Sequence, residues 1–547
     1  MNPQPVIIVG AGPTGMTAAL DLARYGIPSL VLDADHVLSD GSRAIAYSAH
    51  TLAVWERLGA VEAMLAKGVA WSVRHTYFRE RELYTQNFPL PGEGYLPRFF
   101  NLQQYYVERY LLDRIEQTPL IDLRWDHKVT GCRNTDDGVI LEVSTPQGER
   151  SFEGRYVLAC DGARSSLRKL LNLPFPGTTH QDHFLIADIR VDLQSPPEPR
   201  FFFDHPTNPG QTILIHPQPD GVWRFDWQVG PEVDIQVERD PQRMDRRIRA
   251  LIGDLDYEIV WLSDYRFHQR LMDSFIHGRI YFAGDSCHLM APFGARGLNS
   301  AAADVENLVW KLALVLRHGA PESLLESYQT ERWPAQKLNQ VVTNNTMLFM
   351  SPPNRLRRSL RNLILRLSAF SKPARRWVNS GKMVEPFVYA NSPLIAPDDA
   401  PAREWQGAPP LGGKAPDLPV TCWDGAGRRP VFLRHLLGRG FAALVFSEDR
   451  SGGPVFAPQC PDLPTVPVQI YSVLTRAPDS DPMMPVLVDA DGSLHQAFAA
   501  QPGTLYLIRP DGHIAARRRS VQPDDVPRVL PPLVCQCCGV RPNPAEK

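Results

Sequence analysis

Three glycines near the start of the chain have the spacing of a dinucleotide-binding turn. Gly10, Gly12 and Gly15 follow the apolar run VIIV and open a helical pattern, which together predict a strand, a turn and a helix. Glycines there permit a tight turn and a close approach of the backbone to a pyrophosphate, whose charge the helix N-terminus favours. Asp33 ends the next predicted strand, where a carboxylate can accept hydrogen bonds from ribose hydroxyls. The chemistry predicted is dinucleotide binding, and the alternative is a purely structural glycine turn.

Two later stretches repeat the pattern of a strand, a turn with a carboxylate, and a helix. LACDGARSSLR contains Asp161 and Gly162, and FAGDSCHLMAPFGARGLN contains Gly284 and Asp285. A plain NAD-dependent dehydrogenase would instead continue with regular strand–helix units after the first turn. The three stretches together therefore indicate a dinucleotide-binding protein of another kind.

With these three stretches in this order, the chain resembles the class A flavoprotein aromatic hydroxylases. This single-component family includes the para-hydroxybenzoate, phenol and 3-(3-hydroxyphenyl)propionate hydroxylases. The segments FFNLQQYYVERYLLDRI and APFGARGLNSAAADVENLVWKLALVL are most similar to the 3-(3-hydroxyphenyl)propionate hydroxylase-like group. The resemblance implies that FAD and either NADH or NADPH are the cofactors.

The resemblance also implies which residues hold the FAD. The glycine loop would hold the adenosine and pyrophosphate, the Asp285 turn the ribityl chain, and the GARGLN turn the pyrimidine edge of the flavin through backbone N–H groups. Gln103 is the alternative to its neighbour Gln104. The implied cofactor-binding residues are Gly10, Gly12, Pro13, Thr14, Gly15, Asp33, Arg43, Gln104, Asp161, Gly162, Arg164, Gly284, Asp285, Gly297, Leu298 and Asn299. Arg164 and Arg168 either meet nucleotide phosphates or cap the helix that follows them.

The reaction implied by the resemblance is hydroxylation of a phenolic or related aromatic ring. NAD(P)H reduces the FAD, O₂ forms a C4a-hydroperoxyflavin, and the terminal oxygen passes to the ring. A base that removes the phenol proton would assist this transfer. The candidate catalytic residues are Pro292, beside the reactive side of the flavin, and the β-segment residues His216, Arg224 and Asp226, with Gln228 as a further candidate. A plain role on the sheet surface stays open for each polar residue, and His288 has either a structural or a catalytic role.

Alternation in VWRFDWQV indicates how these β-segment residues are arranged. The polar Arg224, Asp226 and Gln228 alternate with aromatic residues, so one set faces a cavity or solvent and the other a core. A flavin-dependent halogenase would have the element WxWxIP. This stretch has a different spacing and no Ile-Pro, which argues against a halogenase. The alternative functions are a flavin monooxygenase acting on a heteroaromatic or polyketide-like substrate, and a non-catalytic flavin-binding scaffold. Three matched cofactor elements favour an enzyme over a scaffold.

Composition excludes several classes of partner. The chain has 547 residues, a formal net charge of -2 and 43% hydrophobic residues, which is ordinary for a globular protein. A charge so close to zero provides no field that would recruit nucleic acid. Eight cysteines do not form a secreted disulfide framework, and the start MNPQPVIIVGAG has no basic region before its apolar run. We therefore expect a cytoplasmic protein with a small aromatic substrate and O₂ as partners, no metal, no stable membrane insertion, and a homodimer as one option.

The predicted fold class is α/β, with a Rossmann-like FAD-binding domain, an inserted β-rich substrate domain, a helical region and a C-terminal thioredoxin-like domain. The last assignment follows from the resemblance of GTLYLIRPDGHIAARR to the phenol-hydroxylase branch, although the usual redox CxxC is absent because Cys422 and Cys460 stand alone. Cys535 and Cys538 lie in a proline-rich tail, where oxidation is favoured over metal binding or disulfide exchange. The predicted boundaries are 1–180 for the FAD-binding domain with a substrate-domain insertion near 70–100, 181–275 for the β-rich domain, 276–390 for the FAD-binding continuation and helices, 391–420 for a linker and 421–547 for the thioredoxin-like domain.

Two helical patterns lead to further expectations. Residues 45–65 have amphipathic spacing and predict one helix. NRLRRSLRNLILRLSAF places Leu356, Leu360, Leu363, Ile364 and Leu367 on one face and arginines on the others. Such a face most often packs on its own protein or subunit, and contact with a membrane surface or another partner is the alternative.

Overall fold

The computed structural model describes residues 6–38, 41, 43–89, 92–352, 354–378, 385–448, 466–479, 481–482, 484–521 and 529. The chain divides into two compact units, each discontinuous along the sequence. Unit 1 comprises Met1–Ala23, Pro28–Asp304 and Gln336–Glu385, and unit 2 comprises Arg24–Ile27, Val305–Ala335 and Pro386–Lys547.

Strands are distributed over both units. In chain order they are β1 Val6–Val9, β2 Ser29–Leu32, β3 Ala46–Ser48, β4 Val69–Ala70, β5 Val73–Phe78, β6 Arg81–Asn87, β7 Phe99–Asn101, β8 Ile121–Arg124, β9 Lys128–Asn134, β10 Val139–Thr145, β11 Gly148–Gly154, β12 Tyr156–Ala159, β13 Gly177–Arg190, β14 Arg200–Phe203, β15 Thr212–Pro217, β16 Val222–Val229, β17 Glu258–Leu271, β18 Ile276–His277, β19 Ile280–Phe282, β20 His288–Leu289, β21 Pro419–Asp424, β22 Gly427–Phe432, β23 Phe441–Phe446, β24 Val468–Leu474, β25 Val486–Val488, β26 Leu505–Ile508 and β27 Ile514–Arg518.

The α-helices are concentrated in the middle of the chain. In chain order they are α1 Pro13–Arg24, α2 Ala49–Arg57, α3 Val61–Lys67, α4 Gln104–Glu116, α5 Ser166–Leu170, α6 Ile235–Glu238, α7 Pro241–Ile252, α8 Arg296–His318, α9 Glu326–Met350, α10 Arg355–Ser368, α11 Lys372–Val378 and α12 Ser493–Ala497. Within the described ranges, every helix is too short or too polar to cross a lipid bilayer.

The first sheet of unit 1 brings the three sequence motifs to one edge. Its order is β18-β19-β12-β1-β2-β8, and all pairs except β18–β19 are parallel. Parallel strands place their carboxyl ends at the same edge, which is where open α/β sheets bind ligands. Gly10, Asp33, Asp161 and Gly284 follow β1, β2, β12 and β19 closely, so all four lie along that edge.

The second sheet of unit 1 has an apolar face and a mixed face. Its order is β20-β17-β13-β16-β15-β14-β5-β6, and all its pairs are antiparallel except β14–β5. Trp223, Phe225 and Trp227 of β16 pack with Met244 and Ile248 of α7 in one buried cluster. Because side chains alternate along a strand, the polar residues between these aromatics lie on the opposite face.

Unit 2 contains one large sheet, of order β22-β21-β25-β24-β23-β26-β27. β23, β24 and β25 are parallel, whereas β26 pairs antiparallel with β23 and β27 pairs antiparallel with β26. Cys422 in β21 is buried, and burial raises the pKa of its thiol to about 11, so it stays protonated at neutral pH. Cys460, Cys535 and Cys538 lie outside the described residues.

Residues 45–65 differ from the single helix expected for them. Ala46–Ser48 forms β3, which pairs antiparallel with β7, and α2 begins only after Ser48, whose Oγ accepts from the Thr51 N–H at 3.3 Å. The helix then breaks at Gly59, which has φ +73, before α3 begins. A serine cap and a left-handed glycine therefore interrupt a pattern whose hydrophobic spacing alone is continuous.

Candidate functional site

The first glycine loop is closed on one side and open on the other. A Cβ on Gly10 would lie 2.4 Å from the Cys160 carbonyl oxygen, and one on Gly15 would lie 1.9 Å from the Gly10 carbonyl oxygen. Only glycine fits at both positions, because β1, β12 and α1 approach so closely there. A Cβ on Gly12 would meet nothing within 4 Å, and α1 begins at the next residue, Pro13. The N-terminus of α1 therefore faces open space, as a pyrophosphate site requires.

Asp33 is fixed by two backbone N–H groups. One carboxylate oxygen accepts from Ala11, and the other accepts from Asp35 at 2.9 Å. Burial raises the pKa of Asp33, and the two hydrogen bonds oppose this effect. Each oxygen keeps a further lone pair, so the carboxylate can also accept from two ribose hydroxyls.

Asp161 has one oxygen engaged and one without a partner. Its Oδ2 accepts from the Ser166 hydroxyl at 3.0 Å and from the Leu167 N–H at 3.1 Å, which caps α5. Its Oδ1 is buried and has no hydrogen-bond partner among the described residues. A buried acceptor of this kind marks a place where a ligand hydroxyl or a water completes the site. Arg164, three residues later, is exposed.

Arg168 connects the second and third motifs. Its guanidinium donates to the Ser286 carbonyl and to the Ala163 carbonyl, both at 2.7 Å, and lies 4.1 Å from the centre of the Phe175 ring. The side chain is buried by these contacts. Of the two arginines considered as phosphate ligands, this one is engaged with protein groups.

Asp304 holds the turn that contains Asp285. It accepts the Gly284 N–H at 3.1 Å and lies 2.6 Å from Nε2 of His288, with all three residues buried. Cys287 completes a group of three potential metal ligands, but burial raises the pKa of its thiol well above the usual value. We interpret the His288–Asp304 contact as structural. Sequence reasoning missed Asp304, because an acid inside an apolar helix has no motif of its own.

Asp285 lies in the turn that follows β19. Its side chain is accessible to solvent, yet enough protein surrounds it for desolvation to raise the pKa of the carboxyl, against the opposing charges of His288 and Arg43. One side of the Asp285 carboxyl is therefore open to solvent, and protein atoms surround its other sides closely enough to raise its pKa. Gly284, with φ +65, packs against Thr14, since a Cβ on it would lie 2.9 Å from the Thr14 hydroxyl. The first and third motifs are therefore in contact.

The start of α8 offers backbone donors beside an open space. Gly297, Leu298 and Asn299 lie in its first turn, where N–H groups have no partner within the helix, and a Cβ on Gly297 would meet nothing within 4 Å. The Asn299 side chain is used internally: its Oδ1 accepts from the Ser48 N–H at 2.9 Å and from the Thr51 hydroxyl at 2.6 Å. The amide thus joins α8 to the start of α2.

The loop around Arg43 is held by two side chains from other elements. Gln104 accepts from the Ala44 N–H at 3.0 Å, and Arg224 donates to the Arg43 carbonyl at 3.0 Å. Arg224 is itself held by two hydrogen bonds to Asp188, at 2.7 and 2.8 Å. The Arg43 side chain is exposed, so its charge is available to a ligand.

Gln103, the alternative to Gln104, is buried at the N-cap of α4. Its Oε1 has no hydrogen-bond partner among the described residues. Gln104 therefore has a positioning contact with the Arg43 loop, while Gln103 retains a vacant acceptor.

His216 and Asp226 lie on the mixed face of the second sheet. His216 pairs with Arg224, and Asp226 pairs with Leu214, so all four side chains lie on the same face. His216 Nε2 and Asp226 Oδ2 are 4.0 Å apart, and Asp226 Oδ1 is buried without a hydrogen-bond partner among the described residues. Burial raises the pKa of Asp226 to about 7, and burial together with Arg224 lowers the pKa of His216 to about 3. At neutral pH the histidine is neutral and the aspartate is close to its midpoint.

Gln228, the remaining polar residue of β16, is engaged elsewhere. Its side-chain oxygen accepts from the Thr212 hydroxyl at 2.8 Å, and the residue is fully buried.

The mixed face looks towards the motifs of the first sheet. Phe184, which pairs with Gln228 on this face, contacts Phe293 with ring centres 5.7 Å apart. Tyr265 of β17 pairs with Phe184 of β13. Burial raises the pKa of Tyr265, the charge of Asp285 raises it further, and the charge of Arg43 lowers it. Pro292, the neighbour of Phe293, is exposed. Asp226 therefore shares its sheet face with residues that touch the loop following Asp285.

These features fit FAD. At one edge of the first sheet lie the open space beside Gly12, the Asp161 oxygen that has no partner among the described residues, and the accessible Asp285 carboxylate. The helix α8, which has open space beside Gly297, approaches the same edge where Ala301 meets Gly284. They provide N–H donors for a pyrophosphate and a flavin edge, and acceptors for the hydroxyls between them.

Comparisons with known proteins agree with this interpretation. Residues 4–344 match the family described as FAD binding domain. The chain is 28% identical over 528 residues to a 3-(3-hydroxy-phenyl)propionate/3-hydroxycinnamic acid hydroxylase of Mycolicibacterium smegmatis, covering 93% of this chain and 90% of the relative. It is 27% identical to the enzyme of the same name from Escherichia coli, covering 93% and 91%.

Two solved structures share the fold over nearly the whole chain. The flavin-dependent monooxygenase PieE, in complex with FAD and substrate, has a TM-score of 0.80 at 21% identity and covers 98% of this chain and 99% of its own. Aklavinone-11 hydroxylase, with FAD and aklavinone, has a TM-score of 0.76 at 22% identity and covers 98% and 100%. With the family match spanning all three motifs, the chain belongs to the FAD binding domain family, and the relatives that it matches over 93% of its length are named hydroxylases.

Proposed function

We propose that this enzyme hydroxylates a phenolic ring that carries a short acidic side chain, with O₂ as co-substrate. The observation that supports this most directly is the Asp226 carboxyl, which has a pKa of about 7 and whose buried Oδ1 has no hydrogen-bond partner among the described residues. Bound FAD, reduced by NADH or NADPH, supplies the oxygen-transfer chemistry. The chain supplies a place for the ring and an acceptor for its proton.

Asp226 is suited to be the general base. A phenolate is more electron-rich than a phenol, so removing the proton activates the ring for attack by an electrophilic oxygen. A base works best when its pKa lies near the working pH, and burial brings the pKa of Asp226 there. His216, neutral and 4.0 Å away, would orient the carboxyl or pass the proton on.

Arg224 has a different role in this proposal. Its guanidinium donates two hydrogen bonds to Asp188 and one to the Arg43 carbonyl, so these donors are already used within the protein. We therefore assign it to positioning the Arg43 loop beside the cofactor rather than to the substrate. Pro292 would contact the reactive side of the flavin, as the family resemblance implies.

Arg74 supports an acidic substrate. Thr76 of β5 pairs with Phe201 on the mixed face. Arg74 precedes Thr76 by two residues on the same strand, so its side chain lies on that face too. Its guanidinium lies 5.0 Å from the centre of the Phe201 ring, its charge helps to lower the pKa of His216, and burial lowers its own pKa. The Arg74 guanidinium also donates to Gln86 at 2.6 Å, and a substrate carboxylate beside it would form an ion pair with it.

The FAD roles form part of the same proposal. Asp33 would bind the adenosine ribose, Asp285 the ribityl hydroxyls, and the first-turn N–H groups of α8 the pyrimidine edge. Asp161, through its unpartnered oxygen, would accept from a further FAD hydroxyl.

A panel of three substrates tests the proposal on the FAD-loaded enzyme. The compounds are 3-(3-hydroxyphenyl)propionate, 3-phenylpropionate, which lacks the hydroxyl, and 3-ethylphenol, which lacks the carboxylate. We expect the first to accelerate NAD(P)H oxidation and to gain one oxygen atom by mass spectrometry. We also expect Arg74→Met to raise KM for the acid more than for 3-ethylphenol.

The proposal fails if no phenolic acid gains oxygen. Oxygen gained only by a polycyclic phenol or a heteroaromatic compound would support the alternative substrate classes. Oxidation of NAD(P)H that yields only hydrogen peroxide would identify a bound but unreactive analogue, so product mass decides the outcome.

A further inference from the structure

α10 presents a stripe of leucines away from the protein to which it is attached. Leu356, Leu360, Leu363 and Leu367 have exposed fractions of 80%, 56%, 53% and 50%. Their spacing of three and four residues places them on one side of the helix. The expected packing of this face against its own chain is therefore not found among the described residues.

The opposite face of α10 already anchors the helix. Leu365 and Ser368 are fully buried there, and Leu365 belongs to the aromatic cluster that contains Phe203 and Phe293. Arg361 is buried on the same side and donates to the Met350 carbonyl at 3.0 Å. The leucine stripe is thus not needed to hold the helix in place.

The exposed apolar surface continues beyond α10. Phe370, just after the helix, is 83% exposed, and Trp377 in α11 is 69% exposed. Scattered exposed apolar residues are normal, but six large ones within 22 residues form a concentration of the kind that marks an interaction site. Tryptophan is also enriched where proteins meet the headgroup region of a bilayer.

The charge of this segment is entirely positive. Residues 354–378 contain no aspartate or glutamate. The cations that stand exposed around the leucine stripe are Arg355, Arg357, Arg366, Lys372 and Arg376. The surface therefore combines an apolar centre with a cationic rim.

We propose that α10 and α11 form a docking surface for an anionic lipid bilayer. The helix would lie in the plane of the interface, with the leucine stripe at the acyl boundary and the arginines among the headgroups. Charge complementarity selects this occupant, since anionic lipids attract a cationic segment near the surface. A second copy of the chain on the same face would bring two cationic rims together, which opposes association.

Vesicle co-sedimentation of the FAD-loaded full chain tests the proposal. One set of vesicles contains phosphatidylcholine alone, and the other contains phosphatidylcholine mixed with phosphatidylglycerol. We expect binding at least tenfold tighter to the anionic vesicles and a loss of that preference at high salt. Tryptophan emission should shift to shorter wavelength on binding, and Trp377→Phe should reduce the shift.

Three variants separate the contributions of the surface. The combined Leu356→Ser, Leu360→Ser and Leu363→Ser substitutions should abolish binding, and the combined Arg355→Gln, Arg357→Gln and Arg376→Gln substitutions should remove the preference for anionic lipid. Leu120→Ser, at another exposed leucine, is the matched control and should bind as the wild type does. FAD content and substrate-stimulated NAD(P)H oxidation without vesicles should be unchanged in all of them.

Two outcomes would overturn the proposal. The wild type could remain in the supernatant with both vesicle types, or the triple leucine variant could bind as well as the wild type. Analytical ultracentrifugation tests the alternative, in which a second copy of the chain covers this surface. A dimer that the leucine substitutions dissociate, together with no vesicle binding, would assign the surface to a second copy.

Discussion

Two buried groups of charges in this enzyme differ in how completely their partners satisfy them. In unit 2, Glu331 accepts hydrogen bonds at both oxygens, from Lys311 and Asn307 at Oε2 and from Arg509 at both. In unit 1, Asp226 has one buried oxygen without any partner among the described residues and a neutral histidine 4.0 Å from the other. Glu331 is 1% exposed and the Asp226 side chain is 16% exposed, so protein encloses most of both acids.

The difference in partners appears in the pKa values. Arg509 and Lys311 hold the pKa of Glu331 far below its usual value despite burial, so this carboxylate is permanently charged. Burial raises the pKa of Asp226 to about 7, because the positive charge of Arg224 compensates only in part and the negative charge of Asp188 raises the pKa further. A fully paired buried charge stabilises structure, whereas a partly paired one is left free to exchange a proton.

Removing the charge of Glu331 should have the largest effect on stability. Glu331→Gln leaves Lys311 and Arg509 buried with Asp511 as the remaining acid of the network, and breaking a buried pair costs about 3–5 kcal/mol. The midpoint of urea unfolding followed by circular dichroism should fall accordingly. Asp113→Asn, which breaks an exposed pair with Arg109 on α4, is the control and should cost less than about 0.5 kcal/mol. Equal effects of the two substitutions would contradict the contrast between paired and exposed charges.

Removing the carboxyl of Asp226 should instead affect turnover. Asp226→Asn cannot accept the phenol proton, and loss of general-base catalysis typically lowers kcat by about 100-fold or more. In the wild type, kcat/KM should rise with pH as Asp226 ionises near pH 7, because only the charged form is a base. The variant should lose this rise while retaining FAD.

Asp264→Asn is the matched control for this measurement. Asp264 pairs with Leu185 across β17, on the opposite face of the same sheet, and forms an ion pair with Arg239 at 3.0 Å. Its pH profile should follow that of the wild type. An Asp226→Asn enzyme with an unaltered pH profile would assign the base to another residue.

The sequence predicted the strand, the glycine turn and the helix at the start of the chain, because backbone geometry determines the glycine positions. Gly10 and Gly15 stand where a Cβ would collide with backbone atoms, and that requirement appears directly as residue type and spacing. The alternation in β16 likewise predicted which side chains share a face, since Trp223, Phe225 and Trp227 pack in a core.

The contrast between Glu331 and Asp226 could not be predicted from the sequence. Arg509, which pairs with Glu331, lies 178 residues away, and Asp188, which pairs with Arg224, lies 36 residues away. Nothing in the local pattern around either acid reports such a partner. For the same reason the sequence proposed Arg224 and Asp226 as equal candidates, whereas in the structure Arg224 is engaged and Asp226 has a vacant oxygen.

The smallest expected effect concerns stability. Asp226 and Glu331 should contribute to the free energy of unfolding with opposite dependence on pH. The folded protein binds a proton at Asp226 up to about pH 7, whereas an unfolded aspartate loses it near its ordinary value of 3.8. Stability from this group is therefore present below that value and is lost as the pH rises to about 7. Glu331 behaves oppositely, because its lowered pKa contributes stability above the ordinary value of 4.5 that is lost as the pH falls.

Both pH dependences can be measured by urea unfolding of the wild type, Asp226→Asn and Glu331→Gln at pH 5 and pH 8. Asp226→Asn is neutral at every pH, so its stability relative to the wild type should increase between pH 5 and pH 8, by about 1–2 kcal/mol because water reaches the site. The deficit of Glu331→Gln should stay constant over that interval, since Glu331 is charged in the folded and unfolded chain throughout most of it, and should shrink only in stronger acid. If Asp226→Asn and the wild type kept a constant difference from pH 5 to pH 8, Asp226 would be as permanently charged as Glu331, and its vacant oxygen would lose its significance as a proton acceptor.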